Sequence, residues 1–387
     1  MSGGVNMSKK NILPEGTRDI IFDECVIKRN IERNVDELFE KWGYKEVITP
    51  TVEYYETFNQ DFQILKEEDM YKFFDNKGRI LVLRPDMTIP IGRVVETKLK
   101  DSAFPLQLRY NSNIFRVHES FGGKRNEYTD MGVELIGLED TKSDLEMLVL
   151  ALESLKTLGL NEFKLEIGYS GFFNAALKGS NIDEECKNAI ATFIDEKNLK
   201  SLEEYLDSLD IQDGYKTFFN RLPWMFGEKE ILQEARELAF NSELKESISY
   251  LEKLYFELEE LGYSGNITFD LGMVPRLDYY TGIIFKGYCE GVGTTVLRGG
   301  RYDNLIKPYK KSIPAIGFSI DINCVISILD INSNIKNRKE IYKIYYNEKN
   351  KIEAIKKSIE LRNSGFIAEL CLNDDSHSVK VVKEGEL

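Results

Sequence analysis

Histidine is scarce in this chain of 387 residues, with only His118 and His377 present. A histidine-based metal site is therefore not expected. The five cysteines are far apart and lack the close pairs that are typical of zinc sites. Their odd number, together with the absence of a signal sequence, favours reduced thiols in the cytoplasm. We predict a cytoplasmic protein without a metal ion or a cofactor.

Long apolar runs and an excess of positive charge are also missing. No stretch is long and apolar enough to cross a bilayer, so no membrane contact is expected. The chain has 51 Lys and Arg residues against 65 Asp and Glu residues, a net charge of −14. Such a chain lacks the broad positive footprint of a nucleic-acid-binding protein, although a local basic patch is compatible with this balance. Residues 1–10 are polar and are predicted to form a disordered tail.

The periodicity of apolar residues predicts a mixture of helices and strands. Apolar side chains recur at three- and four-residue steps from Ile27 to Trp42, which predicts a helix that ends at Gly43. A second helix is predicted at 145–158, and glycines 299, 300 and 317 are interpreted as turn residues. Strand patterns occur at 44–49, 79–83, 106–117, 128–136, 163–168, 267–271 and 279–285.

The pattern changes twice along the chain, which divides it into regions. Residues 11–171 and 263–330 form a strand-rich α+β core without regular strand–helix alternation. Acidic, helix-forming residues dominate 172–262, which we interpret as a helical insertion without strands. Residues 331–387 contain only a strand, a helix, a strand and a polar tail, which is about half of an α/β domain.

Two segments place charged or hydroxyl side chains where a ligand could meet them. Asp86 and Thr88 follow a strand end, where a carboxylate and a hydroxyl can hold an ammonium group; the alternative is that one of them caps a helix. Arg116 and Glu134 fall on the two strands of a predicted hairpin. An arginine there can clamp a carboxylate or a phosphate, and the alternative is a cross-strand salt bridge between the two residues.

Two further segments carry glycines beside aromatic or charged residues. The run 277–282 contains Tyr279 and Tyr280, and the glycine pair 299–300 lies between two arginines. A ligand can closely approach a backbone that has no side chains, but a plain β-turn is the better explanation of these glycines. The run 314–321 consists mainly of small and apolar residues, which alone indicates core packing.

In this order and spacing, the four segments resemble histidyl-tRNA synthetase, and the resemblance covers about residues 13–329. Residues 13–19 resemble the start of that family, 42–53 its first class II motif and 115–116 its second. The resemblance implies the fold of a class II aminoacyl-tRNA synthetase, in which helices flank an antiparallel sheet and the first motif forms a homodimer. It also implies that 331–387 are a truncated anticodon-binding domain, a small C-terminal βαβ remnant.

The resemblance fails at positions that this family uses for ATP. Cys324 stands where the third motif has an arginine, and Asp321 stands where a glycine is expected. A thiol cannot pair with phosphate or stack on adenine as a guanidinium does. Pro275 occupies the place of a second catalytic arginine, and Arg276 falls one place later. We therefore expect no catalytic residues.

The amino-acid end of the family's pocket is largely retained. Seven residues match or nearly match it: Asp86, Thr88, Arg116, Asp130, Glu134, Tyr279 and Tyr280. By resemblance, they could hold the ammonium group, the carboxylate and the ring of histidine or a similar molecule. Three of them are carboxylates, which suits a cation. The alternative is that these residues are present only because the sheet needs them.

A synthetase-like chain without the ATP-site arginines resembles the regulatory subunits of ATP phosphoribosyltransferase, and the run Leu-Arg-Pro-Asp-Met-Thr at 83–88 is typical of them. The resemblance implies a non-catalytic subunit that assembles with a short-form catalytic subunit and mediates feedback inhibition of histidine biosynthesis by L-histidine. A tRNA partner is not expected. The alternatives are a divergent histidyl-tRNA synthetase and a small-molecule ligase that forms an adenylate. Glu134→Gln is predicted to weaken histidine binding because it removes a charge that faces the ammonium group.

Overall fold

A computed structural model describes residues 12–58, 66–118, 125–139, 141–160, 162–180, 182–274, 279–291, 293–307, 311–329, 340–373 and 378–384. The predicted tail at 1–10 and the pair Pro275 and Arg276 lie outside these ranges. The chain forms two compact units, residues 1–329 and 330–387.

The helices and strands of the described residues are numbered in chain order. The helices are α1 (Asp23–Lys41), α2 (Thr88–Thr97), α3 (Thr141–Thr157), α4 (Ser170–Leu177), α5 (Glu184–Asp195), α6 (Leu199–Ser208), α7 (Asp213–Arg221), α8 (Glu230–Leu238), α9 (Ser242–Glu260), α10 (Ile322–Ile328) and α11 (Lys351–Asn363). The strands are β1 (Lys45–Glu46), β2 (Val52–Tyr54), β3 (Lys72–Phe74), β4 (Ile80–Leu83), β5 (Leu106–Phe115), β6 (Glu127–Ile136), β7 (Phe163–Tyr169), β8 (Phe226–Gly227), β9 (Ile267–Asp270), β10 (Ile283–Cys289), β11 (Leu297–Arg301), β12 (Ala315–Asp321), β13 (Ile341–Tyr346), β14 (Ile367–Leu372) and β15 (Lys380–Lys383). None of the helices within the described ranges is long and apolar enough to cross a membrane.

A sheet of nine strands, in the order β1-β5-β6-β12-β11-β10-β7-β9-β8, forms the centre of the first unit. Its pairs are antiparallel except for β1 with β5 and β7 with β9. The hairpin of β5 and β6 pairs ten residues of each strand, from Leu106 opposite Ile136 to Phe115 opposite Glu127. A small separate sheet has the order β2-β4-β3. The predicted α+β fold with a largely antiparallel sheet is confirmed.

Helix α1 follows from the apolar periodicity of its sequence. Ile27, Ile31, Val35 and Phe39 are all buried, so that one face of the helix packs on the rest of the unit. Burial of side chains of this size contributes roughly 1.5–3 kcal/mol each. Gly43 follows with φ of 87°, a left-handed conformation that glycine adopts without steric cost. The predicted end of the helix is therefore correct.

Helix α2 closes a core cluster beneath the hairpin. Its Ile91 and Val95 are fully buried and pack in one cluster with Leu108 and Ile114 of β5. The cluster fixes the start of α2 against the sheet. Since Thr88 is the first residue of this helix, the packing also fixes the position of that hydroxyl.

Helices α4 to α9 occupy most of the stretch between 170 and 260. Their turns are capped in the ordinary way; for example, the Asn241 side chain accepts a hydrogen bond from the Leu244 amide at 2.8 Å. The prediction of no strand in this stretch is wrong for Phe226–Gly227, which forms β8 at the edge of the large sheet. A strand of two residues is too short to leave a periodic signal.

The second unit contains one more strand than predicted. β13 pairs in parallel with β14 and antiparallel with β15, which lies in the expected polar tail. The buried residues Ile344, Ala354 and Ala368 form its core. Two strand predictions in the first unit also need correction. Only Lys45–Glu46 of 44–49 is a strand, and β10 begins at Ile283 rather than at 279.

Candidate functional site

One cavity of about 300 Å³ brings together all seven residues of the predicted pocket. Its volume lies at the lower end of the range of roughly 300–1,000 Å³ that is usual for small-molecule sites. Ten more residues line it: Tyr110, Tyr128, Arg298, Gly299, Gly300, Tyr302, Gly317, Phe318, Ser319 and Asp321. The space suits a ligand of the size of an amino acid better than a nucleotide.

The register of the strands gives this cavity two ends. Glu134 on β6 lies opposite Gly317 on β12, which lies opposite Gly300 on β11. Asp130 on β6 lies opposite Asp321 on β12. Four residues separate Asp130 from Glu134, so the two ends are roughly 13 Å apart along the strand. We refer to them as the Asp130 end and the Glu134 end.

Glycines make room for the Glu134 end. A Cβ atom added to Gly317 would lie 1.8 Å from Oε2 of Glu134, and one added to Gly300 would lie 2.6 Å from the ring of Tyr280. Both distances are far below van der Waals contact. The interpretation of Gly299, Gly300 and Gly317 as turn residues is therefore wrong. All three lie within β11 or β12, and the absence of a side chain at Gly300 and Gly317 leaves room for Tyr280 and Glu134 in the cavity.

Glu134 is held by hydroxyl groups on both of its oxygens. The Thr88 hydroxyl donates to Oε1 at 3.0 Å, and the Tyr302 hydroxyl donates to Oε2. The residue is only 2% exposed. Burial raises the pKa of Glu134 to about 8, although the two hydroxyls favour its ionised form. Near neutral pH this carboxyl group is therefore largely protonated.

Arg116 and Glu134 do not form the cross-strand salt bridge that was one alternative. The register places Glu134 opposite Leu108, far along the strand from Arg116. The Arg116 Nε instead donates to the Pro85 carbonyl at 2.7 Å, and its guanidinium lies 3.7 Å from the Asp86 carboxylate. The two ends of the cavity are thus held by separate networks.

Asp86 lies at the start of a helix, as one of its two alternatives predicted, and it also lines the cavity. Its Oδ1 accepts a hydrogen bond from the Ile89 amide at 3.1 Å, which satisfies one of the free N–H groups at the start of α2. Its Oδ2 faces Arg116 at 3.7 Å. One side chain therefore starts a helix and also lines the cavity.

Three tyrosines form an aromatic wall at the Glu134 end. The rings of Tyr279 and Tyr302 are stacked with centroids 5.7 Å apart and planes at 4°. Tyr280 meets Tyr279 edge to face at 4.6 Å and 70°. Because burial raises the pKa of all three hydroxyls, they stay protonated at neutral pH and can donate hydrogen bonds. This wall offers apolar surface and polar tips to a planar ring.

Asp130 differs from the other carboxylates because its side chain makes no hydrogen bond within the described ranges. It is 8% exposed, and that exposed part faces the cavity. Burial and the facing charge of Asp321 raise the pKa of Asp130 to about 7, and the positive charges of Arg116 and Arg298 partly oppose this shift. A buried carboxylate without a donor is costly, so a ligand with an ammonium group would satisfy it.

Asp321 and Cys324 depart from the family's third motif, and both lie at the start of helix α10. The Asp321 Oδ1 accepts a hydrogen bond from the Cys324 amide at 2.9 Å and caps α10. Burial raises the pKa of the Cys324 thiol to about 11. The side chain is thus a neutral thiol beside a carboxylate and supplies no positive charge.

Several cavity residues were not predicted from the sequence: Tyr110, Tyr128, Arg298, Tyr302 and Asp321 among them. Local signals existed for two of them. Tyr128 shares the face of β6 with Asp130 and Glu134 by the two-residue alternation of a strand, and Arg298 borders the glycine pair that was considered for ligand approach. The others depend on which strands become neighbours. Within the described ranges, no group of three His, Cys, Asp or Glu residues is placed to hold a metal ion.

The fold is that of the histidyl-tRNA synthetase class. The sequence model described as Histidyl-tRNA synthetase matches residues 16–325. The crystal structure of histidyl-tRNA synthetase from Nostoc sp. PCC 7120 has a TM-score of 0.78 and 18% sequence identity, and the match covers 95% of this chain and 87% of that chain. At this identity the likeness shows the fold alone.

Relatives with higher sequence identity show which family within this class the chain belongs to. ATP phosphoribosyltransferase regulatory subunits from Clostridium botulinum (strain Langeland) and Clostridium kluyveri are 41% and 40% identical over 370 and 374 residues, which cover 95% and 96% of this chain and 88% and 96% of theirs. A crystal structure from Bacillus halodurans C, described as an ATP phosphoribosyltransferase regulatory subunit/histidyl-tRNA synthetase, has 33% identity and a TM-score of 0.83, covering 96% of this chain and 95% of that one. The chain belongs to the family of ATP phosphoribosyltransferase regulatory subunits.

Proposed function

We propose that this chain is the regulatory subunit of a two-component ATP phosphoribosyltransferase and is itself non-catalytic. The observation that carries the proposal is the environment of Cys324. A neutral thiol stands where the synthetases have an arginine, and the carboxylate of Asp321 lies beside it. Stabilising charge on a phosphate requires cations at fixed places. At this position Cys324 supplies no positive charge and Asp321 supplies a negative one, so adenylate chemistry is not supported.

The partner in this proposal is a short-form catalytic subunit, as the names of the relatives imply. The catalytic subunit would join ATP to phosphoribosyl pyrophosphate, and this chain would complete the assembly in the cytoplasm. The helix and strand at 23–46 are the elements that form the homodimer in the class to which the fold belongs. We extend the proposal to a homodimer within the hetero-oligomer, without tRNA as a partner.

L-Histidine is the ligand that we propose for the cavity. The Glu134 end combines an aromatic wall with a carboxyl group, which can accept a hydrogen bond from an imidazole N–H. The Asp130 end provides a carboxylate without a donor, which suits the ammonium group. Glu134 therefore faces the ring in this arrangement. The earlier interpretation had placed it against the ammonium group.

Regulation would follow from unequal binding to two conformations of the assembly. If histidine binds the less active conformation more tightly, it shifts the population toward that state and lowers the activity. This coupling is reciprocal. A substrate that favours the active conformation weakens histidine binding by the same factor by which histidine weakens the binding of that substrate. No contact between histidine and the catalytic site is needed.

The direct test is the activity of a short-form catalytic subunit from the same organism, measured with and without this chain. We expect activity to appear or rise on mixing and to fall when histidine is added. Absence of any effect, together with separate elution of the two chains, would refute the regulatory function.

A divergent histidyl-tRNA synthetase is the second candidate, because the family match spans residues 16–325. Histidine-dependent exchange of pyrophosphate into ATP distinguishes the two. A small-molecule ligase would give the same exchange without transfer to tRNA. We expect no exchange above that of a protein-free control.

A further inference from the structure

Arg298 lies at the opening of the cavity and has few contacts of its own. It sits on β11 between Ser319 of β12 and Lys286 of β10, its partners in the register. The side chain is exposed and lines the cavity. One of its terminal nitrogens donates to the Thr295 hydroxyl at 3.2 Å. Among the residues that the structure describes, no other side chain or carbonyl accepts from its five N–H donors, so most of them are available to a ligand.

The second arginine of the cavity, Arg116, has contacts with other residues of the protein. Arg116 donates to the Pro85 carbonyl at 2.7 Å and lies 3.7 Å from the Asp86 carboxylate. By contrast, no carboxylate or carbonyl oxygen within the described ranges accepts a hydrogen bond from Arg298. The two arginines therefore differ in one respect: Arg116 faces a carboxylate of the protein, whereas Arg298 forms no ion pair within the described ranges.

The position of Arg298 relates it to both ends of the cavity. Its row, shared with Ser319, lies two residues along β12 from the row of Asp321 and Asp130 and two residues from Gly317 beside Glu134. Two residues on a strand correspond to roughly 7 Å. The positive charge of Arg298 acts on the carboxyl groups of both Asp130 and Asp321. Strand β12 lies between β11 and β6, so the backbones of Arg298 and Asp130 are also about 10 Å apart across the sheet, a separation that the long arginine side chain can reduce.

We propose that Arg298 binds the carboxylate of a free α-amino acid whose ammonium group is bound by Asp130, so that Arg298 determines whether the cavity accepts an amino acid or the corresponding amine. The inference rests on the proposed function, because it takes the regulatory ligand to be an amino acid with an imidazole ring. A forked guanidinium suits a carboxylate, with which it can form two parallel hydrogen bonds. Arg298 is then a specificity-determining residue of the regulatory site.

A different function of Arg298 would be to offset the negative charge of Asp130 and Asp321 without touching the ligand. The two functions differ in their effect on ligands without a carboxylate. A residue that only offsets charge affects histidine and histamine alike, since both carry the ammonium group. A residue that binds the carboxylate affects histidine alone.

The experiment compares the binding of L-histidine and histamine to the full-length chain by calorimetry at about pH 8, where the imidazole ring of both probes is neutral. The variants are Arg298→Ala, Arg298→Lys and Lys286→Ala. Lys286→Ala is the matched control, because it removes the neighbouring cation of the same row, which does not line the cavity. Arg276→Ala is included because the resemblance to histidyl-tRNA synthetase places a functional arginine of that family next to position 276.

We expect Arg298→Ala to weaken histidine binding at least about tenfold and to leave histamine binding within about twofold. Arg298→Lys should retain part of the affinity for histidine. Lys286→Ala should leave the affinity for both L-histidine and histamine unchanged. An equal effect of Arg298→Ala on both probes overturns the proposal, as does a selective loss in Arg276→Ala instead. If histidine binds the wild-type chain and weakens in Asp130→Asn but is unaffected by Arg298→Ala, the carboxylate assignment is wrong while the proposed site stands. Absence of histidine binding to the wild type would refute both.

Discussion

Replacement of Asp130 by Asn is expected to stabilise the empty protein at alkaline pH. Burial and the charge of Asp321 raise the pKa of Asp130 from its usual 3.8 to about 7. A carboxyl group whose pKa is raised by folding holds its proton more tightly in the folded state. The folded state therefore loses stability as the pH rises from about 4 to about 7, and the loss persists above that range. The rise in pKa corresponds to on the order of 4 kcal/mol.

Asparagine does not titrate and should avoid this loss. At about pH 8.5 we expect the free energy of unfolding of Asp130→Asn to exceed that of the wild type by roughly 2–4 kcal/mol, and at about pH 4.5 the difference should fall below about 1 kcal/mol. Urea unfolding followed by tryptophan fluorescence measures this, because Trp42 and Trp224 both lie in the unit 1–329. The control is Asp210→Asn, which changes an exposed carboxylate. An identical pH dependence in Asp130→Asn and the wild type would refute the reasoning.

Three further predictions concern the ligand. Glu134→Gln should weaken histidine binding about tenfold or more, because the ring loses a charged acceptor; unchanged affinity in calorimetry would exclude the cavity as the histidine site. Gly317→Ala should displace the Glu134 side chain, lower the free energy of unfolding by about 1–3 kcal/mol and abolish histidine binding, whereas Gly265→Ala, with no atom within 4 Å of the new Cβ, should bind normally. Histidine affinity should rise between about pH 7 and 8.5 with release of protons, because the pKa values of Asp130 and Glu134 are raised to about 7 and 8 and a bound cation or donor favours their ionised forms. Titration in two buffers of different ionisation enthalpy measures that release, and its absence would contradict the assignment of these carboxylates.

Local patterns in the sequence predicted the elements that depend on local physics. The stripe from Ile27 to Phe39 defines α1, because one apolar face is enough to specify a buried helix. The ten-residue strands of the β5–β6 hairpin follow in the same way from runs of strand-forming residues. Asp86 was correctly placed at the start of a helix, since a carboxylate before a helical run is a local signal.

The cavity could be predicted only in part, because most of it depends on strand neighbours that are distant in sequence. Tyr302 reaches Glu134 across 168 residues of chain. Nothing near residue 302 indicates that contact. Gly317 looked like a turn residue or a core residue, because the reason for its small size is a carboxylate on another strand. The resemblance to a known family supplied the seven pocket residues, whereas Arg298 lies in a glycine-rich run whose local signal is weak.

The support of Glu134 by Thr88 and Tyr302 has a consequence for how the protein responds to its ligand. Both hydroxyl contacts and the stacked tyrosines form between residues of the protein and need no ligand atom. Little side-chain entropy is then lost when a ring enters, so the cavity is preorganised. Occupancy of a single chain would follow the cellular concentration of the ligand directly. The steepness of inhibition would then arise from coupling between subunits, and a single isolated chain would bind its ligand hyperbolically.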